Sequence, residues 1–161
     1  MLDQIGPQFG LEKLDDTIAD DLNLAWHRLN TWPDVVPGFK RLQRKFLLAP
    51  CSNGNIALMV DIARRNHFYW DAVLGSEIAR DFKPKPAVYR MTAAALNLNP
   101  EEVMMCASHS DDLASAAANG LRTAHIARPG ESGPGTGESA PSVHVDIAAR
   151  NMTDLAAQLG V

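Results

Sequence analysis

The sequence predicts an α/β fold: a Rossmann-like, parallel, doubly wound sheet flanked by helices. Short apolar runs of strand length alternate with amphipathic runs of helical length along the chain of 161 residues. Polar motifs close those apolar runs, where the C-terminal ends of parallel strands bind ligands. In chain order they are Ser52-Asn53-Gly54, Lys83-Pro84-Lys85-Pro86, Ser108-His109-Ser110-Asp111-Asp112 and Gly120-Leu121-Arg122-Thr123.

Each element has its own signal. Leu11, Leu14, Ile18, Leu22, Trp26 and Leu29 recur at helical intervals and predict an amphipathic helix over 11–29. Thr31-Trp32-Pro33-Asp34 breaks it, and Val36 to Phe46 reads as a second helix. Leu47 to Cys51 is a short buried strand, followed by a helix from about Ile56 to Asn66. Ala72-Val73-Leu74 is another strand. Pro84 and Pro86 suit the first turn of a helix running to Leu98, because proline has no amide hydrogen to lose there. Asn99 to Glu102 is a turn, Val103 to Ala107 a strand, and Asp112 to Asn119 a helix stopped by Gly120. Thr123 to Ala127 and Val143 to Ile147 are further strands, and Thr153 to Leu159 is the last helix. Residues 129–142 are rich in glycine and proline and read as a plain exposed loop. Gly130 and Gly135 there have the spacing of a phosphate cradle, but Thr136 follows instead of lysine.

Composition narrows the function classes. A net charge of −4 without a basic stripe argues against nucleic acid as a partner. No apolar stretch approaches the roughly 20 residues of a membrane span, and Met1-Leu2-Asp3-Gln4 does not open a signal peptide. Both point to the cytoplasm. Cys51 and Cys106 are the two cysteines, too few for a disulfide scaffold. A strand end before a helix can lower a thiol pKa, but a small buried apolar residue is the simpler reading of both.

The motifs carry the chemistry. Ser52 and Asn53 would present a hydroxyl and an amide at a strand end, beside the free amide hydrogens of the next helix, where a carboxylate or phosphate binds. Helix N-capping explains the same residue types. Lys83 before a proline-started helix can neutralise a carboxylate and the charge that develops on a substrate, although most lysines are simply solvated. Lys85 lies further into the helix and is the poorer candidate. Asp112 at a helix start suits the helix dipole without any catalysis, Asp111 reads as its exposed neighbour, and His109 is either a ligand-facing donor or a surface residue.

Together these motifs resemble the haloacid dehalogenase superfamily of hydrolases, and most closely its 2-haloacid dehalogenases, over residues 15 to 161. Ser52 matches the second motif, with Asn53 beside it. Lys83 in Asp81-Phe82-Lys83-Pro84 matches the third, and Asp112, eight positions before Gly120, matches the fourth. Trp32-Pro33-Asp34-Val35 also fits this subfamily. The resemblance implies a core over 31–161 and a remnant of a helical cap over 1–30. It also implies catalytic roles for Lys83, Asp112 and Ser52, and binding of a small 2-haloacid or other small carboxylate by Ser52, Asn53 and His109. No cofactor and no metal ion is implied. Phosphatases of the superfamily carry a magnesium-binding aspartate where this chain has Ser108, which argues for metal-free dehalogenation, although Asp111 could partly restore a metal site.

One departure from the family is large. Its first motif is an aspartate with a threonine four residues on, at the end of a central strand between those ending near Cys51 and Ala107. Asp3 lies in no apolar run and is followed four residues later by Pro7; Asp16 lies within the predicted helix. The nucleophile and its strand therefore have no counterpart, and bare strand edges predict a rearranged sheet, a partner strand in trans or a poorly stable chain, with strand exchange between two copies as a route to a homodimer. Three readings stand: a haloacid dehalogenase-like hydrolase inactive alone, a non-catalytic anion-binding or regulatory protein on the same fold, and a phosphatase of the superfamily.

Overall fold

The computed structural model describes residues 6–11 and 15–161. Its helices are α1 (Asp16–Asn23), α2 (Val35–Leu42), α3 (Ile56–Arg65), α4 (Ser76–Ala79), α5 (Pro86–Ala95), α6 (Ser110–Ala118) and α7 (Met152–Gln158). The strands are β1 (Cys51–Ser52), β2 (Leu74–Gly75), β3 (Met104–Ala107), β4 (Arg122–Ile126) and β5 (Ile147–Ala149). Among the described residues all ladders are parallel, and they form two sheets, β1-β2 and β3-β4-β5. No ladder joins β1 to β3.

Side chains alternate across the larger sheet, as strand geometry requires, and fill a core on each face. On one face Ala124, Ile126 and Ala149 meet Leu42 of α2 and Leu155 and Ala156 of α7. On the other, Met105 meets Tyr89 of α5 and Leu113 and Ala116 of α6, and Cys51 of β1 packs against the same cluster. Helices thus cover both faces, as a doubly wound sheet demands. The two ladders are joined by side chains and not by backbone hydrogen bonds. Truncating the fully buried Leu113 or Leu155 would cost about 2–5 kcal/mol each.

Several boundaries differ from expectation, each for a physical reason. The strand expected over 47–51 shrinks to Cys51–Ser52, since Pro50 has no N–H for a ladder; Leu48 pairs instead with Asp71, through Asp71 N–H to Leu48 O (2.8 Å) and Leu48 N–H to Asp71 Oδ2 (2.8 Å). The strand expected over 143–147 is displaced to Ile147–Ala149. Asp146 closes the ladder on that side by accepting Thr123 N–H (2.8 Å) with its carboxylate, while Val143 and Val145 pack on the core without joining the sheet. The short helix α4 carries no sequence signal strong enough to predict it. Cys106, expected in the core, is exposed on β3.

The helix expected over 11–29 divides into α1 and a 3-10 turn, Leu24–Arg28; Leu14, like Asp3, lies outside the described residues. The apolar stripe of this region does not enter the core: Ile18, Leu22, Leu24, Trp26 and Leu29 are exposed. Polar contacts attach the segment to α3 instead. His27 Nδ1 meets Asp61 Oδ2 (2.7 Å), Thr31 N–H donates to Asn66 Oδ1 (2.9 Å), and Asn66 Nδ2 donates to Leu29 O (3.0 Å).

One buried ion pair ties the fold together. Asp34 receives two hydrogen bonds from Arg128 (3.1 and 2.8 Å) and a third from Met152 N–H (2.7 Å). It thereby links the start of α2, the end of β4 and the start of α7, with the Trp32 ring 5.0 Å from the guanidinium carbon of Arg128. Burial alone would raise the Asp34 carboxyl, but the Arg128 hydrogen bonds, the Met152 N–H and the Arg128 charge together hold it below its ordinary value. The stabilisation is therefore present in full above the unfolded carboxyl pKa of about 4 and is lost as pH falls through the lower folded value. Asp34→Asn, which leaves Arg128 without a counter-charge, is expected to destabilise the chain by about 3 kcal/mol at neutral pH. It should also flatten the fall in stability on acidification, and chemical denaturation at neutral and acid pH checks both.

Candidate functional site

The polar motifs converge at the C-terminal ends of β1 and β3 in an open cleft of about 520 Å³. Asn53, Lys83, Pro84, Tyr89, His109, Asp111, Asp112 and Ser115 line it. Lys83 Nζ lies 2.5 Å from Asp112 Oδ2, and both side chains are mostly buried. The other oxygen, Asp112 Oδ1, accepts the Tyr89 hydroxyl at 2.7 Å. With both oxygens engaged, Asp112 holds Lys83 in place and is no free base.

Each residue is delivered by local structure. Pro86 at the first position of α5 starts that helix three residues after Lys83, and Tyr89, one turn on, faces inward and is fully buried. Asp111 and Asp112 stand in the first turn of α6, where negative charge suits the helix dipole. Burial, and then the adjacent Asp112, push the Tyr89 phenol far above its ordinary pKa, so it remains a donor at physiological pH.

Asn53 turns out to grip the backbone of Lys83. Its Oδ1 accepts Lys83 N–H (2.7 Å) and the Ser76 hydroxyl (2.6 Å), and its Nδ2 donates to Lys83 O (3.3 Å). The Ser52 hydroxyl accepts Gly54 N–H (2.9 Å) and does not line the cleft. Neither residue caps α3; Asn55 does, accepting Leu58 N–H (2.7 Å). Gly75 opposite is required: it holds a φ of +119°, and a Cβ there would come 2.4 Å from Ser52 O. His109 lines the cleft with an exposed ring, its Nε2 2.8 Å from Glu131 Oε2. Lys85 points elsewhere and pairs with Asp81 (2.8 Å).

The structure therefore brings together Asn53, Lys83, His109 and Asp112, and sets Ser52 beside them. Tyr89 was missed by the sequence reasoning. Its one signal was a tyrosine one turn into a proline-started helix, a position facing the core. The Cys51 thiol is half-buried, and burial pushes its pKa up, which removes the basis for a nucleophile. Among the described residues, no three His, Cys, Asp or Glu side chains converge as a metal site.

The fold and the lysine–carboxylate pair define a parallel α/β protein with a polar site at its strand ends, and comparison with known proteins gives the family. The haloacid dehalogenase-like hydrolases match residues 3–120, and the chain belongs to that family. Its relatives include the (S)-2-haloacid dehalogenase of Xanthobacter autotrophicus, 30% identical over 122 residues that are 74% of this chain and 47% of that protein. Two solved structures share the fold closely. A defluorinating L-2-haloacid dehalogenase is 43% identical with a TM-score of 0.93, over 99% of this chain and 66% of that one. A second L-2-haloacid dehalogenase is 42% identical with a TM-score of 0.91, over 98% and 68%. The chain spans about half the length of the curated relatives it matches.

Tyr89→Phe is expected to leave Asp112 Oδ1, on a mostly buried side chain, without its partner and to cost about 1–3 kcal/mol. Urea denaturation of the variant against the parent chain measures it.

Proposed function

We propose that this chain carries the charge-balancing and binding side of a 2-haloacid dehalogenase site and is inactive alone. The observation that supports this reading most is the Lys83–Asp112 pair, held at 2.5 Å at the mouth of two parallel ladders. In the reaction the family resemblance implies, an aspartate carboxylate attacks the carbon bearing halogen. The carbon–halogen bond breaks, halide leaves with the bonding pair, and an aspartyl ester forms. Water then attacks the ester carbonyl, giving a 2-hydroxyacid and the free carboxylate, with a proton released. Lys83 balances the carboxylate charges, Asp112 and Tyr89 hold Lys83, Asn53 and Ser52 shape the carboxylate-binding turn, and His109 helps place water.

The aspartate nucleophile has no counterpart in this sequence, so every supporting role is filled and the principal one is not. Residues 31–161 serve as the core and 1–30 as a cap remnant, and the chain binds a small 2-haloacid or other small carboxylate in the cytoplasm, with no cofactor or metal called for. The unpaired edges of β1 and β3 also favour association of two copies. A specific observation keeps a second reading in view: an intact cleft without a nucleophile is what a non-catalytic anion-binding protein would retain.

Purified chain incubated with 2-chloropropionate or fluoroacetate is expected to release no halide, while 2-chloropropionate shifts the NMR signals of residues 53, 83 and 109. Halide release would overturn the claim of a missing nucleophile, and absence of binding would overturn the anion site. An in-frame coding segment upstream of Met1 with an apolar strand, an aspartate and a threonine four residues later would favour the dehalogenase. A stop codon there would favour the binding protein.

A further inference from the structure

The segment after β4 has no regular structure, yet it is pinned. Arg128 N–H donates to Glu138 O (2.8 Å) and Gly137 N–H to Pro129 O (3.3 Å), so residues 128–138 close into a loop. From that loop Glu138 reaches the start of α6. Its Oε1 accepts Ser110 N–H (2.9 Å), its Oε2 accepts the Ser110 hydroxyl, and the Ser110 oxygen in turn accepts Ser142 N–H (2.9 Å). Ser110 is 2% exposed. Beneath the same carboxylate lies buried His125, its Nε2 3.5 Å from Glu138 Oε2 and without a hydrogen-bond partner.

This is more than a surface contact. Helix α6 supplies no side-chain cap of its own, since His109 at its N-cap makes no such bond. Glu138 takes that role from 28 residues away. An uncapped first turn frays, and this first turn carries Asp112, which must meet Lys83 at 2.5 Å and Tyr89 at 2.7 Å at once. The Ser110 hydrogen bonds hold the Glu138 carboxyl below its ordinary pKa, so the cap is charged at neutral pH.

We propose that Glu138 is a positioning residue for the Lys83–Asp112 pair: by capping α6 through Ser110 it fixes where Asp112 meets Lys83, and so where the Lys83 charge faces the cleft. It acts through Ser110 and touches no ligand. The proposal deepens the anion-site reading above and rests on it.

The test uses the purified 161-residue chain with isotope-labelled lysine. The Lys83 side-chain NMR signal is assigned with Lys83→Met, and titration with 2-chloropropionate is run beside unfolding curves. Glu138→Ala should displace the Lys83 signal and weaken 2-chloropropionate binding about tenfold. Glu138→Gln keeps an oxygen for Ser110 N–H and should recover most of both. Ser110→Ala keeps only the backbone bond and should fall between. A merely structural Glu138 would lower the unfolding midpoint but leave the Lys83 signal and the affinity of the folded protein unchanged, and that result overturns the proposal. Should Glu138→Ala fail to fold, an unchanged Lys83 signal and an unchanged affinity in Ser110→Ala overturn it equally. If the parent chain binds no 2-chloropropionate, the anion-site reading fails by itself, and the ligand-free Lys83 signal still decides the positioning role.

Discussion

The Asp34–Arg128 pair is the interaction on which the rest of this molecule depends. It is mostly buried, bidentate, and completed by the Met152 N–H. Charges out of water are tolerated only with such full pairing. Its reach extends to the site. The guanidinium of Arg128 is fixed by Asp34 while its backbone N–H holds Glu138 O, Glu138 holds Ser110, and two residues further Asp112 holds Lys83. A contact that secures the outer helices thus lies at the base of a chain of bonds ending in the cleft.

In the cleft itself, placement matters more than strength. Lys83 and Asp112 are mostly buried, and the cost of taking both charges out of water offsets much of their attraction, so the pair contributes modest net stability. What the surroundings supply is direction. Asn53 fixes the Lys83 backbone from the β1 side, Tyr89 fixes Asp112 from α5, and the first turn of α6 delivers the carboxylate. Three separate elements therefore agree on one geometry, as a preorganised electrostatic site requires.

The two ladders meet differently from the strands within each. Between β1 and β3 the contact is made by side chains, Cys51 against the cluster of Tyr89, Met105 and Leu113, and no ladder runs across. Side-chain packing sets distance loosely, whereas backbone pairing sets register. The polar links of the cleft, Lys83 to Asp112 above all, therefore carry much of the alignment between the halves.

The alternation of short apolar runs with amphipathic ones was enough to determine the class of fold and the order of its elements, because strand and helix periods are local properties. Lys83, Asn53, His109 and Asp112 were singled out by the resemblance that the order and spacing of the polar motifs carry, since each motif by itself suits a helix cap or a solvated surface equally well. Only the tertiary structure decided how they are used: that Asn53 spends its amide on the Lys83 backbone, that Ser52 leaves the capping of α3 to Asn55, and that Tyr89 completes Asp112. It alone displaced the last strand to Ile147–Ala149, because Asp146 bonds Thr123 instead of leaving a free ladder edge. It also left the apolar stripe of the first helix exposed and turned an ordinary glycine-rich loop into the support of α6. These outcomes depend on contacts between residues tens of positions apart, and periodicity within a short window carries no record of them.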